Sequence, residues 1–490
     1  MKKISTFIVL VISFTVYSCT NKLNLNPISQ VTVNSYWKTP DDVKGYVNGM
    51  YARFRMRTNA TLFYLGEARS EVIGEGSIQN PAEKRLYFEN TLDKITAPDW
   101  IGLYTVIHDA NLLLKYVPGI SYTVEGDKNN VLAQAYAMRA YIYYILVRTW
   151  GGVPLVKEPT ESYDANTIYR PRNSAEEVFT QIKSDIDKAL ELFSDNAFRN
   201  KRHEWSNPAV NALKGDVYLW TAKRNGGGDK DLQIALTALQ EAQKADITLL
   251  GNFNDVFDYA NKGNKEILFA VNYADLEAES NYNQDLYIRP VDIPQGLDDA
   301  TKQKLGAGGG NNWITPSETL RKQFNADDLR KDRTFLELYA KDAGGNAKYF
   351  TAVVLKYKGF VDAGGRKFLD DVIIYRYADV LLMIAEAKNA LKMDPANEIN
   401  QVRQRAYGVK FEDHRFVSAS LQENDDAILK ERLLELSFEA KRWWDLVRFN
   451  KAFDLVPSLQ NRKGKDYLLL FPISESTISL NAKITQNPGY

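Results

Sequence analysis

The stretch from Glu431 to Asn450, ERLLELSFEAKRWWDLVRFN, constrains the fold more than any other part of the chain. It contains no proline or glycine, so nothing in its composition interrupts a helix. Its apolar residues recur at three-, four- and seven-residue steps, which places them on one face of a helix. These residues are Leu433, Leu436, Trp443 and Leu446, and Leu429 just before the stretch continues the same spacing. We therefore predict one helix from Glu431 to Asn450.

Charged side chains lie across and beside this apolar face. They are Glu431, Arg432, Glu435, Glu439, Arg442, Asp445 and Arg448. A bundle-type metal site would need Glu-x-x-His pairs, and no histidine falls in this stretch. Acid–base catalysis by paired carboxylates needs two groups across a cleft, whereas these glutamates stack beside arginines that offset their repulsion. We interpret the charges as a partly buried ion network that holds the helix in a core.

The composition limits what the chain can bind or catalyse. With 490 residues, 44% of them hydrophobic, it can bury a large core, and its 62 basic residues balance 62 acidic ones. This balance gives no net positive charge of the kind that binds nucleic-acid phosphates. The three histidines lie far apart, no Gly-x-Ser-x-Gly elbow is present, and the run 308–310 lacks the Lys-Ser/Thr of a phosphate loop. We expect no catalytic residue, no metal, no cofactor and no nucleic-acid partner.

The N-terminus has the features of an exported lipoprotein. Two lysines precede an apolar run, Phe7–Val16, that is too short to span a bilayer permanently. The sequence Val-Tyr-Ser-Cys at 16–19 resembles a bacterial lipobox, in which the cysteine carries the lipid. We predict a signal peptide over residues 1–18, a lipid anchor at Cys19 and a lipidated tether over 19–38. The lipid would attach the protein to a membrane.

Capping signals and periodicity predict a mainly helical protein. Thr39-Pro40-Asp41-Asp42 is a strong helix start, and Ser174 with Glu177 forms a capping box. Helices are predicted at 39–53, 100–116, 131–150, 174–193, 208–223, 232–245, 377–391 and 395–406. Their small and large residues alternate as in tetratricopeptide pairs. Short strands are predicted at 267–273, 349–358 and 371–375, and irregular segments at 57–98 and 274–318.

Aromatic residues in these irregular segments are candidates for ligand binding. Trp100 follows the first segment, and Tyr282, Tyr287 and Trp313 lie in the second. Aromatic rings exposed on loops suit the apolar face of a sugar, with neighbouring polar side chains bonding its hydroxyls. The alternative at this point is that each ring only packs its loop against the body of the protein.

Several segments together resemble one family. The lipobox is followed by Leu23, Leu25 and Pro27, and the segments 139–141, 151–154, 376–387, 471–473 and 486–490 match its motifs, as does 431–448. They resemble SusD/RagB proteins, the surface nutrient-binding lipoproteins of Bacteroidota. The residues of this structural signature are Arg376, Asp379, Glu386, Glu431, Arg432, Glu435, Glu439, Arg442, Trp443, Asp445 and Arg448.

The resemblance implies a fold and a role. The fold would be a tetratricopeptide-like superhelix of helical pairs with a loop-rich, short-stranded ligand face, divided into regions 39–260 and 261–490. The role would be binding without catalysis, as a surface-exposed lipoprotein in the outer membrane. The protein would capture an oligosaccharide, or in some members a peptide, and act as the lid of a SusC-like TonB-dependent transporter.

The family has no ligand motif, so the resemblance assigns ligand residues only by region. These residues are Arg69, Glu71, Trp100, Tyr282, Tyr287, Asn311, Asn312 and Trp313. Three alternatives stay open at this stage. The chain could be a peptide-binding member of the family, a lipid-anchored α-helical glycoside hydrolase, or a scaffold that binds only protein through its helical pairs.

Overall fold

The structure is a computed structural model that describes residues 36–76, 80–162, 164–277 and 280–490. The predicted signal peptide, the lipid anchor Cys19 and most of the tether lie outside the described residues. None of the described helices is long and apolar enough to cross a membrane. The fold is mainly α, as predicted.

The helices enclose the core and the strands are short. The helices are α1 (Pro40–Gly66), α2 (Ala82–Phe88), α3 (Ile101–Tyr116), α4 (Glu125–Trp150), α5 (Ala165–Ile168), α6 (Ala175–Leu192), α7 (Asn207–Arg224), α8 (Gly228–Ala242), α9 (Asp299–Leu305), α10 (Glu318–Arg321), α11 (Lys331–Thr334), α12 (Tyr377–Ala390), α13 (Ala396–Tyr407), α14 (Leu421–Leu436), α15 (Arg442–Arg448), α16 (Ala452–Leu455) and α17 (Glu475–Leu480). The strands are β1 (Ile73–Glu75), β2 (Ile267–Val271), β3 (Ile314–Pro316), β4 (Phe335–Lys341), β5 (Ala347–Val354), β6 (Phe360–Asp362), β7 (Gly365–Lys367) and β8 (Val372–Arg376).

Helices that are close in sequence pack against each other. Helix α3 packs on α4, α4 on α6, α7 on α8, and α12 on α13. Small residues permit the close approach: a Cβ on Gly215 of α7 would lie 2.4 Å from Cγ of Leu239 on α8. Helices α8 and α12 also contact each other, and the main hydrophobic cluster contains residues from both 39–260 and 261–490. The two predicted regions therefore share one core.

The first helix is longer than its sequence indicates. The predicted N-cap at Thr39 is confirmed, and it forms a capping box: the Thr39 hydroxyl accepts from the Asp42 backbone N–H, and the Asp42 side chain accepts in return. The helix does not end near Arg53 but continues to Gly66, so the prediction that residues 57–98 are irregular throughout is wrong. Tertiary packing stabilises the longer helix, because Phe54, Leu62 and neighbouring residues are buried in the main core.

The stretch from Glu431 to Asn450 forms two helices, α14 and α15, rather than the single helix predicted. The chain turns between them, with Phe438 at φ 66° and Ala440 at φ 59°. The buried carboxylate of Glu67 accepts hydrogen bonds from the backbone N–H groups of Phe438, Lys441 and Arg442 at 2.7, 2.9 and 3.2 Å. It thereby satisfies donors at the turn and at the start of α15. Burial raises the pKa of Glu67 to about 7.

Gly66 at the end of α1 has no room for a side chain. A Cβ there would lie 2.1 Å from the Ala440 carbonyl oxygen and 2.7 Å from the Trp444 ring. We expect Gly66→Ala to lower the free energy of unfolding by about 1–3 kcal/mol, because the turn would have to move. Gly49→Ala in the same helix meets nothing within 4 Å and is the matched control, expected to be neutral or stabilising. Urea denaturation measures both, and equal stability would contradict the packing argument.

The strands form antiparallel pairs: β1 with β3, β2 with β8, β4 with β5, and β6 with β7. Strands β2, β5 and β8 lie within or close to the predicted spans. Strand β4 was not predicted, although its partner β5 was. The β1–β3 pair joins the two segments that were predicted to be irregular.

Candidate ligand-binding site

The β1–β3 pair brings distant parts of the chain together. Ile73 lies opposite Pro316 and Glu75 opposite Ile314. Helix α2 follows β1, and Asn311 and Trp313 precede β3 in sequence. The pairing therefore positions α2 beside the residues of the second irregular segment.

Lys84 of α2 lies between two aromatic rings. Its Nζ is 4.0 Å from the centre of the Tyr64 ring and 5.3 Å from that of Trp313. Asp285 accepts from the Tyr64 hydroxyl at 2.8 Å and from the Asn311 side-chain amide at 3.1 Å. Lys84 also lies 3.9 Å from the Asp285 carboxylate. We call Tyr64, Lys84, Asp285, Asn311 and Trp313 the Trp313 cluster.

The Trp313 cluster combines the groups that recognise a sugar ring. Asn311 and Trp313 are half-buried, so both reach solvent while their backbones are held. An indole face packs against the C–H face of a pyranose, while an amide, an ammonium and a carboxylate bond its hydroxyls. Burial and the neighbouring Asp285 raise the pKa of Tyr64 well above its ordinary value, so its hydroxyl stays a donor.

An open groove of 760 Å³ adjoins the same strand pair. It is lined by Glu75 and Thr315 of the pair and by Tyr339 and Tyr349 of the β4–β5 hairpin. The two tyrosine rings meet edge to face, with centres 6.0 Å apart, and Tyr339 is 44% exposed. The Arg321 guanidinium lies 4.0 Å above the Tyr349 ring. The sequence analysis did not predict this aromatic surface. The feature that could have indicated it is a tyrosine in each strand of one hairpin.

Most of the predicted ligand residues are buried. Trp100, Tyr282 and Tyr287 are at most 5% exposed, so the prediction that these rings are exposed on loops is wrong. Trp100 packs edge to face against Trp150 with ring centres 5.7 Å apart. The Tyr282 and Tyr287 hydroxyls donate to the carbonyls of Phe438 and Leu305 at 2.5 and 2.6 Å. Each ring packs its own segment against the core.

Arg69, Glu71 and Asn312 are also buried. Arg69 donates to the Leu468 and Leu470 carbonyls at 2.5 and 3.0 Å, which ties the C-terminal tail to the end of α1. Glu71 accepts from Arg442, and the Asn312 amide lies 3.4 Å from the Thr351 hydroxyl. Of the eight predicted ligand residues, only Asn311 and Trp313 are half-buried in the structure.

The signature residues lie inside the molecule rather than at this site. Each is at most 4% exposed: Arg376, Asp379, Glu386, Glu431, Arg432, Glu435, Glu439, Arg442, Trp443, Asp445 and Arg448. Within the described ranges, no group of three or more His, Cys, Asp or Glu side chains could hold a metal ion. The carboxylates instead face guanidinium groups.

Arg376 and Glu435 form the centre of one ion network. Arg376 donates to both oxygens of Glu439 at 2.7 and 2.8 Å, to Glu266 at 2.9 Å and to Glu435 at 2.5 Å. Glu435 also accepts from Arg330 and Arg405. A second network joins Arg432 to Asp379 and Asp445, and Arg448 to Glu386 and Asp445, at 2.8–2.9 Å. These networks fix α14 and α15 against α12.

Comparison with known proteins identifies the family. A model described as "SusD family" matches residues 340–490, and one described as "Starch-binding associating with outer membrane" matches residues 25–219. A SusD superfamily structure from Bacteroides vulgatus is 32% identical, with a TM-score of 0.84 over 93% of this chain and 100% of that chain. The chain belongs to the SusD/RagB family. SusD-like proteins bind carbohydrate and are not enzymes, so the glycoside hydrolase alternative is not retained.

Other SusD-like proteins are similar over nearly the whole chain. The B. fragilis protein NanU is 33% identical, with a TM-score of 0.85 over 95% of this chain and 100% of that chain. A structure described as a laminarin-binding SusD-like protein is 25% identical, with a TM-score of 0.76 over 92% of this chain and 100% of that chain. SusD-like protein P2 of Formosa agariphila is 29% identical over the full length of both chains.

Proposed function

We propose that this SusD-like protein captures an oligosaccharide at the Trp313 cluster and the adjoining groove. The observation that carries the proposal is the half-buried Trp313 ring beside Lys84 and Asn311, next to a groove with a second pair of aromatic rings. Two aromatic surfaces along one strand pair suit a chain of sugars better than a single ring. The laminarin-binding relative supports a glycan as ligand.

The proposal extends to the membrane and to a partner. The protein is anchored through lipidated Cys19 in the outer membrane, faces the cell surface, and acts as the lid of a SusC-like TonB-dependent transporter. Family membership supports this role, as does the description of a matching family model as associating with the outer membrane. The loop face carries the ligand, which leaves the helical pairs to contact the transporter.

Replacing Trp313 by alanine tests the site. We expect Trp313→Ala to weaken oligosaccharide binding at least about fivefold, since an aromatic stacking contact contributes on the order of 1 kcal/mol. Isothermal titration against a panel of oligosaccharides and peptides measures the affinity. Tyr169→Ala, which removes a partly exposed ring outside the Trp313 cluster and the groove, is the control and should leave binding unchanged.

Two results would overturn the proposal. One is unchanged affinity in Trp313→Ala for every oligosaccharide that binds the wild type. The other is no oligosaccharide binding at all, together with failure of a SusC-like transporter to co-purify with the lipidated protein. Binding of peptides alone would favour the peptide-binding alternative.

A further inference from the structure

Lys84 carries the positive charge of the Trp313 cluster, and its ammonium group has no hydrogen-bond partner among the described residues. Its Nζ lies 4.0 Å from the centre of the Tyr64 ring, and its distance of 3.9 Å to the Asp285 carboxylate makes an ion pair rather than a hydrogen bond. The side chain is 19% exposed, so the ammonium is held in place and still reaches solvent. Its N–H groups are therefore available to an acceptor on a ligand.

Asp285 balances this cation while its own oxygens are occupied. One carboxylate oxygen accepts from the Tyr64 hydroxyl at 2.8 Å and the other from the Asn311 amide at 3.1 Å. Its backbone carbonyl accepts from the Trp313 backbone N–H at 2.9 Å. Asp285 is 9% exposed, so its negative charge is fixed next to Lys84. In a partly buried site, salt and water screen such a charge less than they would at the surface.

The other charges around the site leave no excess of positive charge. The groove is lined by three carboxylates and three cations, which are Glu75, Glu318, Glu337, Arg321, Lys322 and Lys331. Arg321 is paired with Glu337, and Lys322 with Glu318. Beside the cluster, Glu83 of α2 adds a carboxylate whose charge contributes, after burial and Asp285, to the raised pKa of Tyr64. The described residues therefore offer an acidic ligand no net positive charge here.

The spacing decides which acceptor Lys84 can take. A ligand atom about 2.8 Å from Nζ would lie no more than about 7 Å from the Asp285 carboxylate, because the ion pair itself spans 3.9 Å. A ligand carboxylate or sulfate would be repelled by Asp285 and would lose hydration beside the aromatic rings, which its attraction to Lys84 would have to offset. A neutral hydroxyl or ring oxygen accepts the same charge-assisted hydrogen bond without that repulsion.

We propose that Asp285 is a specificity-determining residue that makes this site select neutral oligosaccharides over acidic ones. It acts through Lys84, whose charge it balances, while the ammonium donates to a hydroxyl or ring oxygen of the sugar. The ligand class is therefore a glycan of uncharged sugars rather than one rich in uronic acids or sulfate esters. This inference rests on the proposed function, because it concerns the choice of ligand at the Trp313 cluster.

The test compares each neutral glycan with its own acidic derivative. The probes are laminarihexaose, maltohexaose, cellohexaose and mannohexaose, each also with its primary hydroxyls oxidised to carboxylates. In titration calorimetry with the full chain, the wild type should bind at least one neutral probe and should bind its oxidised form at least about tenfold more weakly. Because the two forms share one backbone, the difference in affinity reports the response to charge.

Asp285→Asn removes the negative charge and keeps the size of the side chain. We expect this variant to bind the oxidised form at least about tenfold more tightly than the wild type does, and the neutral form within about threefold of it. Combining Asp285→Asn with Lys84→Gln should abolish this gain, because the ammonium that attracts the carboxylate is removed. Glu191→Gln, which removes a carboxylate from an exposed ion pair on α6, is the control for net charge and should leave both affinities unchanged.

Three results would overturn the inference. They are equal affinity of the wild type for the two forms, an unchanged ratio of the two affinities in Asp285→Asn, and a gain that persists without Lys84. In each case a glycan binds, so the proposed function stands while this inference fails. If neither form of any probe binds the wild type, the proposed glycan binding fails, and this inference with it. The wild-type comparison needs no variant, so it can overturn the inference even if Asp285→Asn does not fold.

Discussion

Glu435→Ala is expected to lower the free energy of unfolding by about 3–5 kcal/mol, because it leaves buried guanidinium groups without their carboxylate. The side chain is fully buried and accepts from Arg330, Arg376 and Arg405. Burial alone would raise the pKa of Glu435, but these three arginines hold it well below its ordinary range. The group is therefore ionised throughout the stable range of the protein.

The stability loss should not extend to ligand affinity. Glu435 lies in the core, away from the Trp313 cluster, so the folded variant should bind oligosaccharide with nearly the wild-type affinity. Glu412→Ala is the control, since Glu412 forms an exposed ion pair with Arg415 and should cost less than about 1 kcal/mol. Urea denaturation and titration calorimetry give the two readouts. A selective loss of affinity at unchanged stability would restore a binding role for this carboxylate.

Acidification is expected to destabilise the protein by about 5 kcal/mol between pH 5 and pH 2, from two buried carboxylates alone. Burial opposes ionisation of Glu386, but Arg448 and Lys223 outweigh it and lower its pKa from 4.5 to about 2. Lys441 and Arg432 likewise lower the pKa of Asp379 from 3.8 to about 2. Because both folded-state values lie below the unfolded ones, their contribution is present above about pH 4 and is lost as the pH falls.

Other buried acids act in the opposite direction. Burial raises the pKa of Glu67 to about 7 and that of Asp370 to about 6. Because these groups ionise at lower pH in the unfolded chain, the free energy of unfolding falls as the pH rises from about 4 towards 7. We therefore expect maximal stability near pH 5. Urea midpoints measured from pH 2.5 to 8 test this profile, and Glu386→Gln should show a shallower acid limb. A midpoint that does not change between pH 5 and pH 2.5 would contradict the assignment.

Local signals in the sequence predicted local structure well. The caps at Thr39 and Ser174 are both present as capping boxes, because all their partners lie within three residues. The break between α14 and α15 could not be predicted, since the carboxylate that stabilises it belongs to Glu67, 371 residues before Phe438. Propensity favours a continuous helix there, and a tertiary contact overrides it.

The candidate site shows the same limit. The segment that contains Asn311 and Trp313 was predicted as part of the ligand face, and the structure brings both beside α2. Whether a given aromatic ring lies at the surface depends on partners that come from elsewhere in the chain. Tyr282 finds its acceptor at Phe438, and Trp100 its neighbour at Trp150, so neither ring remains available.

The contacts made by Glu67 and Arg69 bear on how the chain reaches its folded state. Both residues are synthesised well before their partners, which lie at 438–442 and 468–470. Until the last residues arrive, a carboxylate and a guanidinium at the end of α1 must stay hydrated. Closing loops of this length is slow, which favours folding late, after these partner residues have been synthesised.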